Sequence, residues 1–238
     1  MGKGVLYLIS LLSMILSGCG RTGSEIRNQS VLPDPEPLPI AVNLEMEDLM
    51  IEDMTIEKLY DLNNGDVEII YAPSTGIPRQ INGIFSTEKI SSEQDALKSL
   101  LSVRSIFQIP DDCSFTCLGF DDDRIDLQVY TLNQLYKGVL VDGGLFRIVT
   151  TKEGVPVSIS GSYLQVGDVD ENPVLSVQDG YKAIPFESYT PISSVSLIIR
   201  LTQDNESHLC WKYETFSKVY YVDAHNGILL DTISIVIY

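Results

Sequence analysis

Residues 136–162, YKGVLVDGGLFRIVTTKEGVPVSISGS, decide the fold. Val155, Val157 and Ile159 alternate with Pro156, Ser158 and Ser160. That pattern describes a strand with one buried and one wet face. Pro156 has no N–H to give a ladder, so it belongs at a strand start or an edge. Lys137-Gly138, Asp142-Gly143-Gly144 and Glu153-Gly154 interrupt the apolar runs where the chain must turn. Just upstream, Ile125, Leu127 and Val129 alternate with Asp126, Gln128 and Tyr130. Period two sustained across these turns predicts an antiparallel meander.

Working outward, helical spacing appears before the meander. Ala96, Leu100, Val103 and Phe107 recur at helical intervals, Ser91 and Ser92 are available N-caps, and Glu93 and Asp95 suit the positive first turn. Pro110 stops this helix. Earlier still, VEIIYAPSTGIPRQINGIF (67–85) has the form strand, turn, strand, and residues 44–64 predict a weak acidic helix broken near Met54-Thr55. Beyond the meander, Leu175–Ala183 predicts a short helix, and Pro185 and Pro191 lie in a loop. Strands follow at Val195–Leu201, Leu209–Phe216, Lys218–Ala224 and Ile228–Tyr238. Asn226-Gly227 is the strongest hairpin signal, because both residues tolerate the positive φ of a type I′ turn. Helix and meander thus occur twice. The expected class is α+β, with two consecutive helix-plus-antiparallel-sheet subdomains, residues 44–165 and 166–238.

The front end is of a different kind. Lys3 precedes the apolar run Val5–Leu16, which is shorter than the about 20 residues a spanning helix needs and reads as a signal-peptide core. It ends in Leu16-Ser17-Gly18-Cys19, the pattern of a lipobox in which the cysteine takes diacylglycerol. Residues 1–18 are therefore expected to be a lipoprotein signal peptide. Cys19 is the expected lipidation site and membrane anchor, with the protein at the extracytoplasmic face of the cell membrane. Residues 19–43, with prolines at 33, 35, 37 and 39, are expected to form an extended, flexible linker.

The net charge of −17 argues against nucleic-acid binding, which requires clustered Lys and Arg. Cys113, Cys117 and Cys210 remain once Cys19 is set aside, and sequence alone leaves their pairing open. Neither histidine, His208 nor His225, sits in the two-histidine helical zinc motif, and no nucleophile elbow or phosphate loop is present. Three weaker constellations are a Cys113, Cys117, Cys210 and His208 zinc set, an Asp223, His225 and Ser234 set across the last hairpin, and calcium at Asp121-Asp122-Asp123 or Asp168, Asp170 and Glu171. Each is more simply explained by core cysteines or solvated turns. The expectation is a protein with no catalytic site, cofactor or metal.

The order of elements resembles the propeptide of thermolysin-like metallopeptidases, a fungalysin/thermolysin propeptide module followed by a PepSY module. Ile69–Phe85 is similar to the opening hairpin and Ala96–Ile109 to the helix. Tyr136–Val141 and Lys152–Gly161 match the central hairpins, and Trp211 with Tyr221–Gly227 fits the PepSY end. Leu44–Asn64 has no counterpart, and Pro185–Ser194 breaks the usual connection. In such precursors a zinc-peptidase domain follows, whereas here seven residues follow Asp231. The resemblance implies a non-catalytic surface lipoprotein that inhibits or chaperones an extracellular metallopeptidase in trans. Its alternative is a PepSY-like binding or regulatory scaffold for envelope components or a membrane sensor.

Overall fold

The computed structural model describes residues 32–42, 44, 51–124, 126–185 and 191–235. The expected signal peptide (1–18), the expected lipidation site Cys19 and residues 236–238 lie outside these. Among the described residues, ten strands and four short helices follow one another in the order α1 (Ile56–Leu62), β1 (Glu68–Tyr71), β2 (Pro78–Asn82), α2 (Glu93–Ser102), α3 (Arg104–Phe107), β3 (Ser114–Arg124), β4 (Leu127–Tyr136), β5 (Val139–Thr151), β6 (Pro156–Ser162), α4 (Val177–Tyr181), β7 (Ile192–Leu201), β8 (Ser207–Thr215), β9 (Lys218–Asp223) and β10 (Leu229–Ser234). The class is α+β. All these strands belong to one sheet, ordered β1-β2-β6-β5-β7-β8-β9-β10, with β4 on the other side of β5 and β3 beyond it.

Local chemistry sets the helix ends. Ser92 caps α2, its Oγ accepting from Asp95 N at 3.1 Å, while Asp95 reaches back to accept from Ser91 N at 3.0 Å. The expected single helix through Phe107 is divided at Val103 and stops at Gln108, which is left-handed (φ 56°). That is two residues before Pro110. Thr55 caps α1, accepting from Lys58 N at 3.2 Å, so the broken acidic helix survives only in its second part.

The β4–β5 hairpin turns at Lys137 (φ 48°) and Gly138 (φ 84°). Two consecutive positive φ values between paired Tyr136 and Val139 make this a type I′ turn. Farther along β5 the register jumps, from Leu135 opposite Leu140 to Asn133 opposite Leu145. Four β5 residues, 141–144, therefore face Gln134 alone. Gly144 is required there, because a Cβ on it would lie 2.5 Å from Gln134 Oε1. Gln134 is buried and holds both backbone groups of Leu164, at 2.7 and 2.9 Å.

This bulge lets one strand serve two sheets' worth of neighbours. After it, Leu145–Thr150 pair with β6. Before it, Leu140 and Val141 pair in parallel with Ile198 and Ile199 of β7. Every other junction is antiparallel.

Two cores result. In the first, α2 and α3 lay Ala96, Leu100 and Phe107 on Phe115, Phe146 and Ile159, with the Phe107 and Phe146 rings edge to face at 5.2 Å. In the second, α4 covers Val195, Ile199, Trp211, Tyr213 and Val222. Trp211 Nε1 donates to Leu175 O at 2.9 Å and Tyr213 OH to Val177 O at 2.6 Å, so neither buried polar tip is orphaned. Val139 and Val141, from the middle of the first expected module, belong to this second core.

The proline-rich segment is laid on the body over its described part. Glu36 N donates to Val195 O at 2.8 Å and Val42 N to Phe115 O at 2.7 Å. Leu32 packs against the second core and Val42 against the first, while Leu38 and Ile40 between them stay exposed. Residues 32–42 thus form a strap rather than a free tether.

Candidate functional site

The face of β7–β10 turned away from α4 carries the densest polar arrangement. Period two places Ile198 and Arg200 of β7, His208 and Cys210 of β8, Tyr221 and Asp223 of β9 on it together. Arg200 Nη1 donates to Asp142 Oδ2 at 2.5 Å and Nη2 to Asp231 Oδ2 at 2.9 Å. Asp142 lies on β5 and Asp231 on β10, four strand spacings apart, roughly 19 Å in a flat sheet. Both reach one guanidinium, so the sheet must curl over this face. The curl buries Ile198, Cys210 and Tyr221 without a covering helix. The guanidinium carbon sits 4.3 Å from the Tyr221 ring centroid, a cation–π contact. Burial works against its charge, but Asp142, with Tyr221 and Asp231 beside it, holds the Arg200 pKa above its usual value.

Asp223 is the hub of the same face, 3% exposed. Its Oδ1 accepts from His225 N at 2.8 Å and Asn226 N at 3.0 Å, and its Oδ2 lies 2.9 Å from His208 Nδ1. Burial alone would raise its pKa; the His225 amide, then His208 and the Asn226 amide, hold it below the usual carboxylate range. This capping also decides the last turn. Gly227 alone takes positive φ (76°), Gly227 N donates to Asp223 O at 2.9 Å, and the strands resume at Leu229. The two-residue type I′ turn expected at Asn226-Gly227 is therefore a longer loop wrapped on a carboxylate.

A histidine held by a buried acid has the geometry of a general base with its orienting group. The neighbouring thiol does not complete it. Cys210 is fully buried, and burial, then the Asp223 charge, pushes its pKa up to about 12. Its Sγ rests 3.6 Å from His208 O. Ser234 pairs with Lys218, five residues along β9 from Asp223, a separation of roughly 16 Å. The His225 ring turns away to Asn172 O, 3.1 Å from Nε2. The expected Asp223, His225 and Ser234 grouping is not brought together; His208 takes the place given to His225.

The cysteines are also scattered. Cys113 and Cys117 pack on the first core, Cys210 under Arg200. The chain runs extended from Ser114 through Cys117, so four residue steps place the two Cα atoms roughly 13 Å apart, twice the usual disulfide Cα span. All three are free thiols, and Cys113 is pushed up to about 11 by burial. In the acidic segment after β6, Asp168 and Glu171 lie 3.7 and 3.3 Å from Lys137 Nζ, and Asp170 Oδ1 accepts from Asn172 N. Cys19 lies outside the described residues, among which no helix is long and apolar enough to cross a membrane.

A second candidate lies at the sheet margin. Ile235 N donates to Ser217 O at 2.7 Å, which seats the end of β10 against the turn carrying Phe216. Phe216 is 77% exposed, Ile233 39% and Ile235 40%. Large apolar side chains gathered at a strand edge make this margin a candidate contact surface.

No family model matches the chain, and no curated protein matches it. Among solved structures it is similar to the Bacillus megaterium YpeB C-terminal domain. The TM-score is 0.41 at 13% identity, over 78% of this chain and 100% of that one. A likeness of that size assigns neither family nor function.

Arg200, Asp142 and Asp231 escape the sequence reading as site residues, and His208 enters it only as a possible zinc ligand. Alternation did place Arg200 opposite the apolar Ile199 face, but nothing local says that strands four positions apart converge on it.

Proposed function

We propose that this protein acts by contact, as a lipid-anchored envelope protein that inhibits or assists the folding of an extracellular metallopeptidase in trans. The reading rests on the ordered resemblance of Ile69–Gly227 to a peptidase propeptide and on the lipobox ending at Cys19. The observation that carries it is the apolar margin of β10 and the Phe216 turn. Extended segments and exposed strand edges engage peptidase clefts and surfaces through main-chain hydrogen bonds. A contact role also accords with Asp223 and His208 serving a turn and a strand pair beside a protonated thiol.

The test is titration of the full chain against a thermolysin-like metallopeptidase from the same envelope, reading residual activity and the yield of refolded enzyme. Stoichiometric inhibition or an increased refolding yield supports the reading; no effect on either overturns it. Recovery of a membrane sensor or wall fragments from envelopes, without a peptidase, moves the assignment to a PepSY-like scaffold.

A further inference from the structure

The sheet has four stretches of backbone with no neighbouring strand among the described residues, and three of them are defended. β1 is four residues long, begins at Glu68, bulges between Ile70 and Tyr71, and is followed by Pro73. β3 is bulged twice, carries Asp121-Asp122-Asp123, and its Phe115 carbonyl is taken by Val42 of the strap. The first half of β7 extends past the β5 pairing, and its Val195 carbonyl is taken by Glu36 of the same strap. Shortness, bulges, charge and a covering segment are the devices that keep edges from pairing with other chains.

β10 is different. Its early part has Asp231, which accepts from Thr232 N at 2.8 Å and so occupies that outward donor. From Thr232 to Ile235 there is no charge, no proline and no bulge. Because Ile235 N points inward to Ser217 O, strand alternation turns the Ser234 N–H and C=O outward. Ile233, Ile235 and Phe216 stand exposed beside them.

We propose that the outer edge of β10, Thr232–Ile235, is a strand-addition site for an extended segment of a different protein, apolar at alternate positions and neutral or basic in charge. The occupant follows from two quantities. A second copy would bring another net charge of −17 against this one. A pairing of four residues also buries far less than the roughly 800 Å² per partner that a specific dimer uses. An extended segment has neither problem: backbone hydrogen bonds supply affinity, and alternate side chains meet the Phe216 and Ile233 surface. The site deepens the contact role proposed above but does not require that the partner be a peptidase.

The probe is a random-dodecamer phage library panned on the immobilised full-length protein, with Ser234→Pro as counter-target. Proline at 234 removes only an outward N–H, so the β9 ladder is kept. An unchanged thermal midpoint confirms that the variant folds, and Ile235→Lys serves as a second counter-target should it not. Enriched sequences are expected to alternate β-branched or aromatic residues with polar ones, to carry Lys or Arg, and to bind the variant about tenfold more weakly, the scale of one backbone hydrogen bond. Sequences that bind both proteins equally, enrichment of acidic sequences, or no enrichment overturn the proposal. So does a wild-type dimer, seen by sedimentation, that Ser234→Pro abolishes. Binding that follows the prediction alongside a failed peptidase titration would retain this edge and discard the peptidase.

Discussion

Around Phe146 the sheet is covered by helices α2 and α3, while around Cys210 it is covered by its own curl, closed over Arg200. The first arrangement is apolar contact between elements near in sequence; the second depends on a guanidinium, three carboxylates and a histidine drawn from five strands. Apolar packing tolerates small displacements, whereas charge-assisted hydrogen bonds demand both distance and direction. The face under α2 and α3 is thus held by volume, and the face of β7–β10 turned away from α4 by geometry.

The largest break in this comparison is expected at Phe146. Phe146→Ala removes a fully buried ring that meets Phe107 and Phe115 edge to face and should cost about 3–5 kcal/mol in urea unfolding. Next comes Asp223→Ala, which leaves the His225 and Asn226 amides without their acceptor; the expected loss is about 2–3 kcal/mol.

Asp223 also gives a pH test. Its folded pKa lies below its unfolded one, so the stabilisation is complete above the ordinary carboxylate value of about 3.9 and is lost as pH falls through the folded value. Unfolding measured from pH 5 downward should show a shallower decline for Asp223→Asn than for the wild type. Equal slopes would mean that Asp223 does not hold this turn by its charge.

Arg200→Lys keeps the charge but loses the fork that spans Asp142 and Asp231; a loss of about 1 kcal/mol is expected, with increased amide exchange in β10. The smallest effect lies between the halves. Lys137→Asn relieves a lysine held at φ 48° and should stabilise by about 0.5 kcal/mol. A loss instead would show that the Lys137 contacts with Glu171 and Val169 O outweigh the strain.

Much of the fold is legible in the order and spacing of the residues. The Ser92 cap, the strand beginning at Pro156, the α4 helix and the four last strands all follow from periodicity and from single residues. The turns are less so. Asn226-Gly227 has the strongest type I′ signal, yet the type I′ turn forms at Lys137-Gly138. A turn preference is worth about 1 kcal/mol, and a buried carboxylate with three donors outweighs it. The candidate site is hardest to read: His208 and Asp223 are 15 residues apart, and Arg200 and Asp142 are 58.

Sequence by itself determined most of the strands, which of their residues face inward, and the excess negative charge, because these depend on neighbours within a few positions. Asp142-Gly143-Gly144, expected to be a turn, is instead the bulge inside β5. Only the tertiary structure decided that β5 bulges to join two sets of strands, that Asp223 meets His208 rather than His225, and that, among the described residues, the outer edge of β10 has no covering segment. Those outcomes turn on which distant segments share burial. No local pattern encodes that distance.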